Sequence, residues 1–406
     1  MRYDVGRFRR PMRRSTEGQL MSLISLGDGS TLTLDFTTGV LDSRLTFTRA
    51  STGTFINASG NVATASNNVA RFDYDPTTLA PKGLLIEGTA TNLLNWSESF
   101  ATSGGASNDW ADTNITRNST NNTDPANGTT ALRVTASAGN GTIISTAAMG
   151  TSAARTFSIW LRRVSGTGNI DYTLDNGSTY TTQAITSSWV RYTFAATTAA
   201  QRVGIRIVTS GDSIELWGAQ LEAGSGASSY IPTVASTVQR LADFCTIPTS
   251  SFITGPLYPQ TLFAECIPAN PSAAFLDIVR LFDRTAGGTF NYGTELYYYG
   301  SSTMTSQRKI NASTNTDRSL ASGLAYNSRH KLAVAVDSSA FLGSYDGLTG
   351  SGTTTAPSAL ASQVTHMGVG CSGDASPGSV MFGTIRQIKF FPFAMAQSQL
   401  NALTTL

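Results

Sequence analysis

Short runs in which apolar and polar side chains strictly alternate, each closed by Gly, Asn, Ser or Asp, recur along this chain. TFSIWLRRV sends Phe157, Ile159 and Leu161 to one side and Ser158, Trp160 and Arg162 to the other. SWVRYTFAATT sets Val190, Tyr192 and Phe194 against Trp189, Arg191 and Thr193. HKLAVAVDSS alternates Leu332, Val334 and Val336 with small residues. A period of two buries one face of a strand and scatters the same residues around a helix, so the expectation is an all-β chain of tandem β-sandwiches.

Further segments fill in that reading. TLTLDFTTG and LTFTRAS place Leu32, Leu34, Phe36, Leu45 and Phe47 inward as a hairpin-like block. QRVGIRIVTSGDSIELWGAQLE reads as two strands around a Ser-Gly-Asp turn, with Val203, Ile205 and Ile207 in the core. In GTIRQIKFFPF the apolar phase breaks between Ile385 and Ile388, the mark of a bulge. AQSQLNALTTL reads as a closing helix with Leu400 and Leu403 inward, and Thr16 to Leu26 as a short helix. These signals divide the chain into a basic arm (1–30), a hairpin-rich linker region (31–91), a jelly roll (92–233), a linker (234–242) and a second sandwich (243–406). VASTVQRLADF is the helical candidate at the linker.

Charge narrows the function classes. Only 13% of residues are charged, while 40% are hydrophobic, enough for packed cores and too much for a disordered polar chain. The net charge of +2 excludes a strongly basic nucleic-acid binder. The first fourteen residues hold six of the 28 basic side chains, Arg2, Arg7, Arg9, Arg10, Arg13 and Arg14, against one acidic residue, Asp4. That arm is expected to be either a solvated tail or an anchor on an acidic surface of a larger assembly. The apolar run after it is too short and interrupted for a signal peptide, and no stretch has the length of a membrane span. Three cysteines without C-x-x-C spacing point to neither a disulfide framework nor a zinc site.

Catalytic constellations are scarce. Neither His330 nor His366 has a nucleophile motif nearby, and no G-x-S-x-G, H-E-x-x-H or P-loop occurs. The carboxylate pairs Asp73 with Asp75, and Asp171 with Asp175, have spacings a glycosidase permits, but surface carboxylates near turns are common. No repeat of solenoid period appears. Calcium needs six to eight oxygen ligands, and no D-x-D-x-D loop supplies them, so no metal and no cofactor is expected. Aromatic and planar polar side chains suit sugar rings better. Trp160, Arg162, Trp189 and Arg191 share one sheet face, with Arg206 two strands away, and FNYGTELYYYG offers Tyr297 and Tyr299 on one side of a strand. The same residues also suit a core or a subunit interface.

RASTGTFINASGNVATASNNVARFDYDPTTLAPKGLLIEGTATNLLNWSESF and WGAQLEAGSGASSYIPT resemble a module of tailed-bacteriophage structural proteins, the head spike fibre and tail fibre proteins, from Phe47 to Thr233. HKLAVAVD and FGTIRQIKFFPFAMAQSQLNALT resemble the end of concanavalin A or laminin-G-like sandwiches. The resemblance implies a carbohydrate-binding-module-like jelly roll on a virion, made in the host cytoplasm. It also implies partners among capsid, portal or tail proteins, a homotrimer and a host surface glycan, without specific nucleic acid or membrane insertion. A capsid-decorating cement protein and a polysaccharide-degrading tailspike are the alternatives. In such jelly rolls the last strand lies beside the first. WGAQLE then pairs near NLLNWSESF, and Glu222 is a closing-strand residue bonded to neighbouring backbone or to an arginine.

Overall fold

The computed structural model describes residues 27–100, 110–118, 122–146, 153–198, 202–269, 275–283, 292–299, 303–311, 314–322, 325–351, 364–371 and 380–406. The arginine-rich arm and the expected helix from Thr16 to Leu26 lie outside them. The protein is all-β, with one α-helix among the described residues, Gln397–Thr404. Its strands form two β-sandwiches.

The jelly roll stacks two five-stranded sheets. One runs Val190–Thr198, Ala153–Ser165, Ser213–Ala223, Leu132–Ala136, Ile115–Asn118; the other runs Thr181–Gln183, Ile170–Thr173, Gly204–Ile207, Gly141–Ser145, Trp110–Thr113. Phe157, Ile159 and Leu161 are fully buried between them with Val203, Ile205 and Ile207, as the alternation requires. Gly204–Ile207 and Ser213–Ala223 belong to different sheets, however. The turn between them carries the chain across the core, because its backbone bonds go to the strand Leu132–Ala136: Gly211 N–H donates to Ala136 O (2.8 Å). They are not a hairpin. Arg206 therefore lies on the opposite sheet from Trp160, held by Asp171 (2.5 Å) and over the Tyr180 ring. The closing strand lies beside the first segment: Leu93 N–H donates to Leu221 O (2.8 Å), and Ala219 N–H to Ser97 O (2.8 Å).

The second sandwich is larger and draws on both ends of the described chain. One sheet runs Leu348–Thr349, Phe341–Tyr345, His330–Val336, Gln260–Pro268, Gly383–Phe391, Pro81–Ile86, Phe72–Tyr74, with Leu32–Asp35 also paired to Gly383–Phe391. The facing sheet runs Thr46–Thr48, Phe244–Pro248, His366–Val369, Phe275–Phe282, Tyr292–Tyr299, Thr303–Asn311, Thr314–Ala321. Residues 31–91 are thus no separate linker region, because Leu32, Leu34, Phe36, Phe47, Leu84 and Ile86 bury their side chains in the second core. Nor do Leu32–Asp35 and Thr46–Thr48 pair as a hairpin; each joins an opposing sheet. The jelly roll is an insertion between Ile86 and Phe244 of this sandwich. The helix Gln397–Thr404 covers the outer face, with Leu400 buried and Leu403 packed beside it.

The 234–242 segment is extended, not helical. Val238–Arg240 pairs with Ala90–Asn92. Val234, Val238 and Leu241, whose spacing imitates a helix face, are among the exposed apolar residues, while Arg240 and Ala242 point inward. A partner strand overrides a weak local pattern there.

Arg240 joins a buried ionic cluster where the modules meet. Asp243 accepts from Arg49 (3.1 Å) and Arg71 (2.5 Å), and Glu87 accepts from Arg71 (2.8 Å), with Arg240 at 3.6 Å. Remaining donors find carbonyls: Arg49 reaches Ser66 O (2.8 Å) and Arg240 reaches Gly88 O (2.9 Å). Burial alone would raise the Glu87 carboxyl. The charges of Arg240 and Arg71, with the hydrogen bonds from Ser229, outweigh it and hold that group at about 2. Buried charges persist only when paired in this way.

Candidate functional site

The outer face of the sheet containing Ala153–Ser165 builds one wall of a cleft. In its ladder Trp160 stands opposite Arg191 on one side and Trp217 on the other. Trp160 meets Trp217 and Tyr230 edge to face, its centroid lying 5.3 Å from the first and 5.4 Å from the second, and Trp217 lies tilted against Tyr230 at 4.8 Å. Arg191 lies over Trp160 (4.6 Å) and Arg162 over Trp189 (4.8 Å), both within cation–π range. Gly218, at φ +63°, lets the backbone pass the Trp160 ring, since a Cβ there would sit 2.8 Å from it.

The small-residue tail after Ser213–Ala223 folds back over this face. Glu222 is its clasp: Ser228 donates to it from backbone N–H (2.9 Å) and hydroxyl (2.5 Å), and Gln220 donates its amide (2.6 Å). Burial pushes the Glu222 carboxyl above its ordinary value despite those bonds. The tail is also tied to Glu87 through Ser229 (2.6 Å from N–H and from hydroxyl), and Ile231 N–H donates to Gln220 (2.6 Å). The role expected for Glu222 is therefore the one it has, bonded to its own tail.

The hairpin of Gly53–Ile56 and Val62–Ala65 packs Val62 and Ile56 against Trp160 and Trp189 and forms a second wall. The second sandwich supplies the third through Ile267, Ala269, Asn327, Phe382 and Thr384. Together they enclose about 720 Å³, within the range of sites that hold small molecules. Trp189 is half-buried at the rim, and its indole N–H donates to Thr123 O (3.2 Å). Asp73 lines the floor, accepting from Ile56 N–H (2.8 Å) with Lys82 at 3.6 Å; burial raises its carboxyl above the ordinary value.

Four of the six residues expected to bind glycan, Trp160, Arg162, Trp189 and Arg191, are therefore together at one cleft. Trp160 is only 7% exposed and contributes an edge at most. Arg162 donates to Glu215 (2.5 Å), and Arg191 to Ser228 O (2.7 Å) and Ser158 Oγ (2.9 Å). Tyr297 is not at the cleft; it is 7% exposed and leaves no ring face open to a sugar, and the side chains of Tyr298 and Tyr299 lie outside the described residues. The carboxylate pairs hold structure. Asp75 caps a turn through Thr77 and Thr78 N–H, Asp175 caps another through Thr179 N–H, and Asp171 holds Arg206 and Thr182. His330 is fixed between Asp346 (2.7 Å) and Ala325 O (3.0 Å), and no group of three or more His, Cys, Asp or Glu among the described residues is arranged to hold a metal. Sequence reasoning missed Asn61, Asn127, Asn327, Lys82 and Thr384, which line the cleft from segments far apart in the chain. Asn127 and Asn327 adopt positive φ, and the Asn-Gly step at 127 was the one readable signal.

No protein-family model matches the chain, and no curated protein matches it. Similar solved structures include the CBM40 of Ruminococcus gnavus IT-sialidase bound to α2,3-sialyllactose, at 13% identity and TM-score 0.31, covering 36% of this chain and 82% of that one. Another is the NanB sialidase from Streptococcus pneumoniae, at 13% identity and TM-score 0.33, covering 39% of this chain and 26% of that one. A third is the heptameric SAP-like pentraxin from Limulus polyphemus, at 12% identity and TM-score 0.28, covering 35% and 67%. Likeness at this level assigns this chain none of their ligands.

Proposed function

We propose that the protein is a non-catalytic bacteriophage virion component, a tail or head fibre or spike, that holds host surface glycan in the cleft between its sandwiches. The glycan part rests on the cleft itself. A half-exposed indole at Trp189, apolar walls from Ile56, Leu85 and Phe382, and amides around them match a sugar ring with one apolar face and many hydroxyls. The virion part rests on the GLLIEGTATNLL run, the WGAQLE and SSYIPT pair, and the arm bearing Arg2, Arg7, Arg9, Arg10, Arg13 and Arg14. In this reading the arm docks on a capsid, portal or tail protein, three copies associate about a cyclic axis, and weak sites gain avidity from display on the particle.

The test is binding of multivalently displayed full-length protein to host surface polysaccharide. Trp189→Ala should lower affinity about tenfold or more with an unchanged unfolding transition. No reducing ends should be released; release that stops on Asp73→Asn would make the protein a depolymerase. The internal bonds of Arg162 and Arg191 favour a second reading, a capsid-decorating protein whose tryptophan–arginine face is architectural. Wild-type protein that binds no host surface would decide for it.

A further inference from the structure

We infer that the ligand of the cleft is an uncharged, hydroxyl-rich sugar contacted by both sandwiches at once, an inference that rests on the glycan-binding reading above. The charged residues lining the cleft are three cationic and three acidic, Lys82, Arg162, Arg191, Asp73, Glu87 and Asp124. Each has its own protein partners. Lys82 faces Asp73, Glu87 holds Arg71 (2.8 Å), and Arg162 holds Glu215 (2.5 Å). Asp124 accepts from the N–H groups of Ala126, Gly128 and Thr130 and from the Thr130 hydroxyl. Arg191 is committed to Ser228 O and Ser158 Oγ and lies over Trp160. An anionic ligand would therefore have to take Lys82 from Asp73 and leave that carboxylate facing a like charge.

Neutral polar groups stand beside these paired charges. Thr384 Oγ1 is buried without a hydrogen-bond partner among the described residues, and so is Arg191 Nε, a single N–H donor. Asn61, Asn127 and Asn327 line the same space, the last two exposed, and their side-chain amides make no hydrogen bond to the described residues. Thr384 Oγ1 and Arg191 Nε are closed to solvent, so the polar groups open to a ligand are the amides. Amides and hydroxyls both donate and accept, which is what sugar hydroxyls require. Thr384 and Asn327 belong to the second sandwich, and Asn61 and Asn127 to the hairpin and the jelly roll.

The experiment presents the full chain to matched neutral and acidic glycans, lactose against sialyllactose and galactan against polygalacturonate, within an array of bacterial polysaccharides, at about 50 and about 500 mM NaCl. The expected result is preference for neutral members by about tenfold or more, with less than about a twofold change across the salt range. Asn327→Gly, which removes the amide and keeps the left-handed backbone, should weaken that binding about fivefold to tenfold without changing thermal unfolding. Preference for the acidic members, or affinity falling more than about tenfold with salt, overturns the inference and leaves the glycan reading standing. Neutral binding that Asn327→Gly leaves untouched overturns the two-module contact. Absence of binding to every member of the array overturns the glycan reading itself.

Discussion

Arg49, Arg71 and Arg240 share two carboxylates, Glu87 and Asp243, at the seam between the sandwiches, and the guanidinium groups of Arg49 and Arg71 are shut off from solvent. Asp243 is the hinge of this arrangement: it also accepts from Glu87 N–H (2.9 Å). Removing it strands the buried Arg49 cation and leaves Arg71 to Glu87 alone, so Asp243→Ala should cost about 3–5 kcal/mol in urea unfolding. The cluster also sets an acid limit. Because the folded state holds the Glu87 carboxyl at about 2, against an ordinary 4.5, the unfolded chain takes up the proton first as pH falls. The stability this carboxylate contributes is complete above pH 4.5 and is lost progressively toward pH 2. Denaturation midpoints measured through that window should fall for the wild type. In Glu87→Gln, starting lower, they should fall less steeply.

The strand Gly383–Phe391 shows how one element is fitted to several partners. Gln260–Pro268 follows its whole length on one side, with a register shift that leaves Arg386 as the extra residue. On the other side Pro81–Ile86 pairs with Gly383 to Ile385, and Leu32–Asp35 with Gln387 to Phe390. The bulge falls where the partner changes, and Arg386 there donates to Glu265 (2.6 Å) and to Pro81 O. Gly83, at φ +106°, is required at the junction, because a Cβ would sit 2.2 Å from Ile385 O. Gly83→Ala should cost about 2–4 kcal/mol and raise hydrogen exchange along Pro81–Ile86. Gly211→Asn, at φ +84° with nothing within 4 Å, should stay within about 1 kcal/mol of wild type. The bulge was legible in the sequence because the inward phase slips between Ile385 and Ile388. The inward faces of Phe157 to Leu161 and Leu332 to Val336 were legible for the same reason. Strand partners were not: alternation says which side is buried and is silent on which strand lies alongside. The Ser-Gly-Asp turn before Ser213 looks the same whether the chain returns to its own sheet or crosses to the other. The cleft was legible only on the Trp160–Arg162 side. Thr384 and Asn327 reach it through pairings more than two hundred residues from the jelly roll's first strand, and no local pattern marks them.

At the scale of the molecule, the jelly roll interrupts a sandwich that closes only when residues from both sides of it meet. Residues 243–406 alone lack Leu32–Asp35, Thr46–Thr48, Phe72–Tyr74 and Pro81–Ile86, along with the apolar residues these strands bury. Expressed alone, that segment should aggregate or unfold without a cooperative transition, whereas 92–233, whose two sheets and core are contiguous, should unfold cooperatively. A cooperative transition in the first fragment would show that the four strands are dispensable. The insertion also fixes the line of tension. Leu32 pairs with Phe390 at one end of Gly383–Phe391, and Ile86, from which the chain departs into the jelly roll, pairs with Gly383 at the other. If the arm is held at a particle and the jelly roll is pulled by a bound cell, the two ends of one strand are drawn apart lengthwise. The hydrogen bonds of both ladders then resist together in shear, none opening before its neighbours. A fibre wired this way would yield first at its grip on the sugar, and keep its fold for the next encounter.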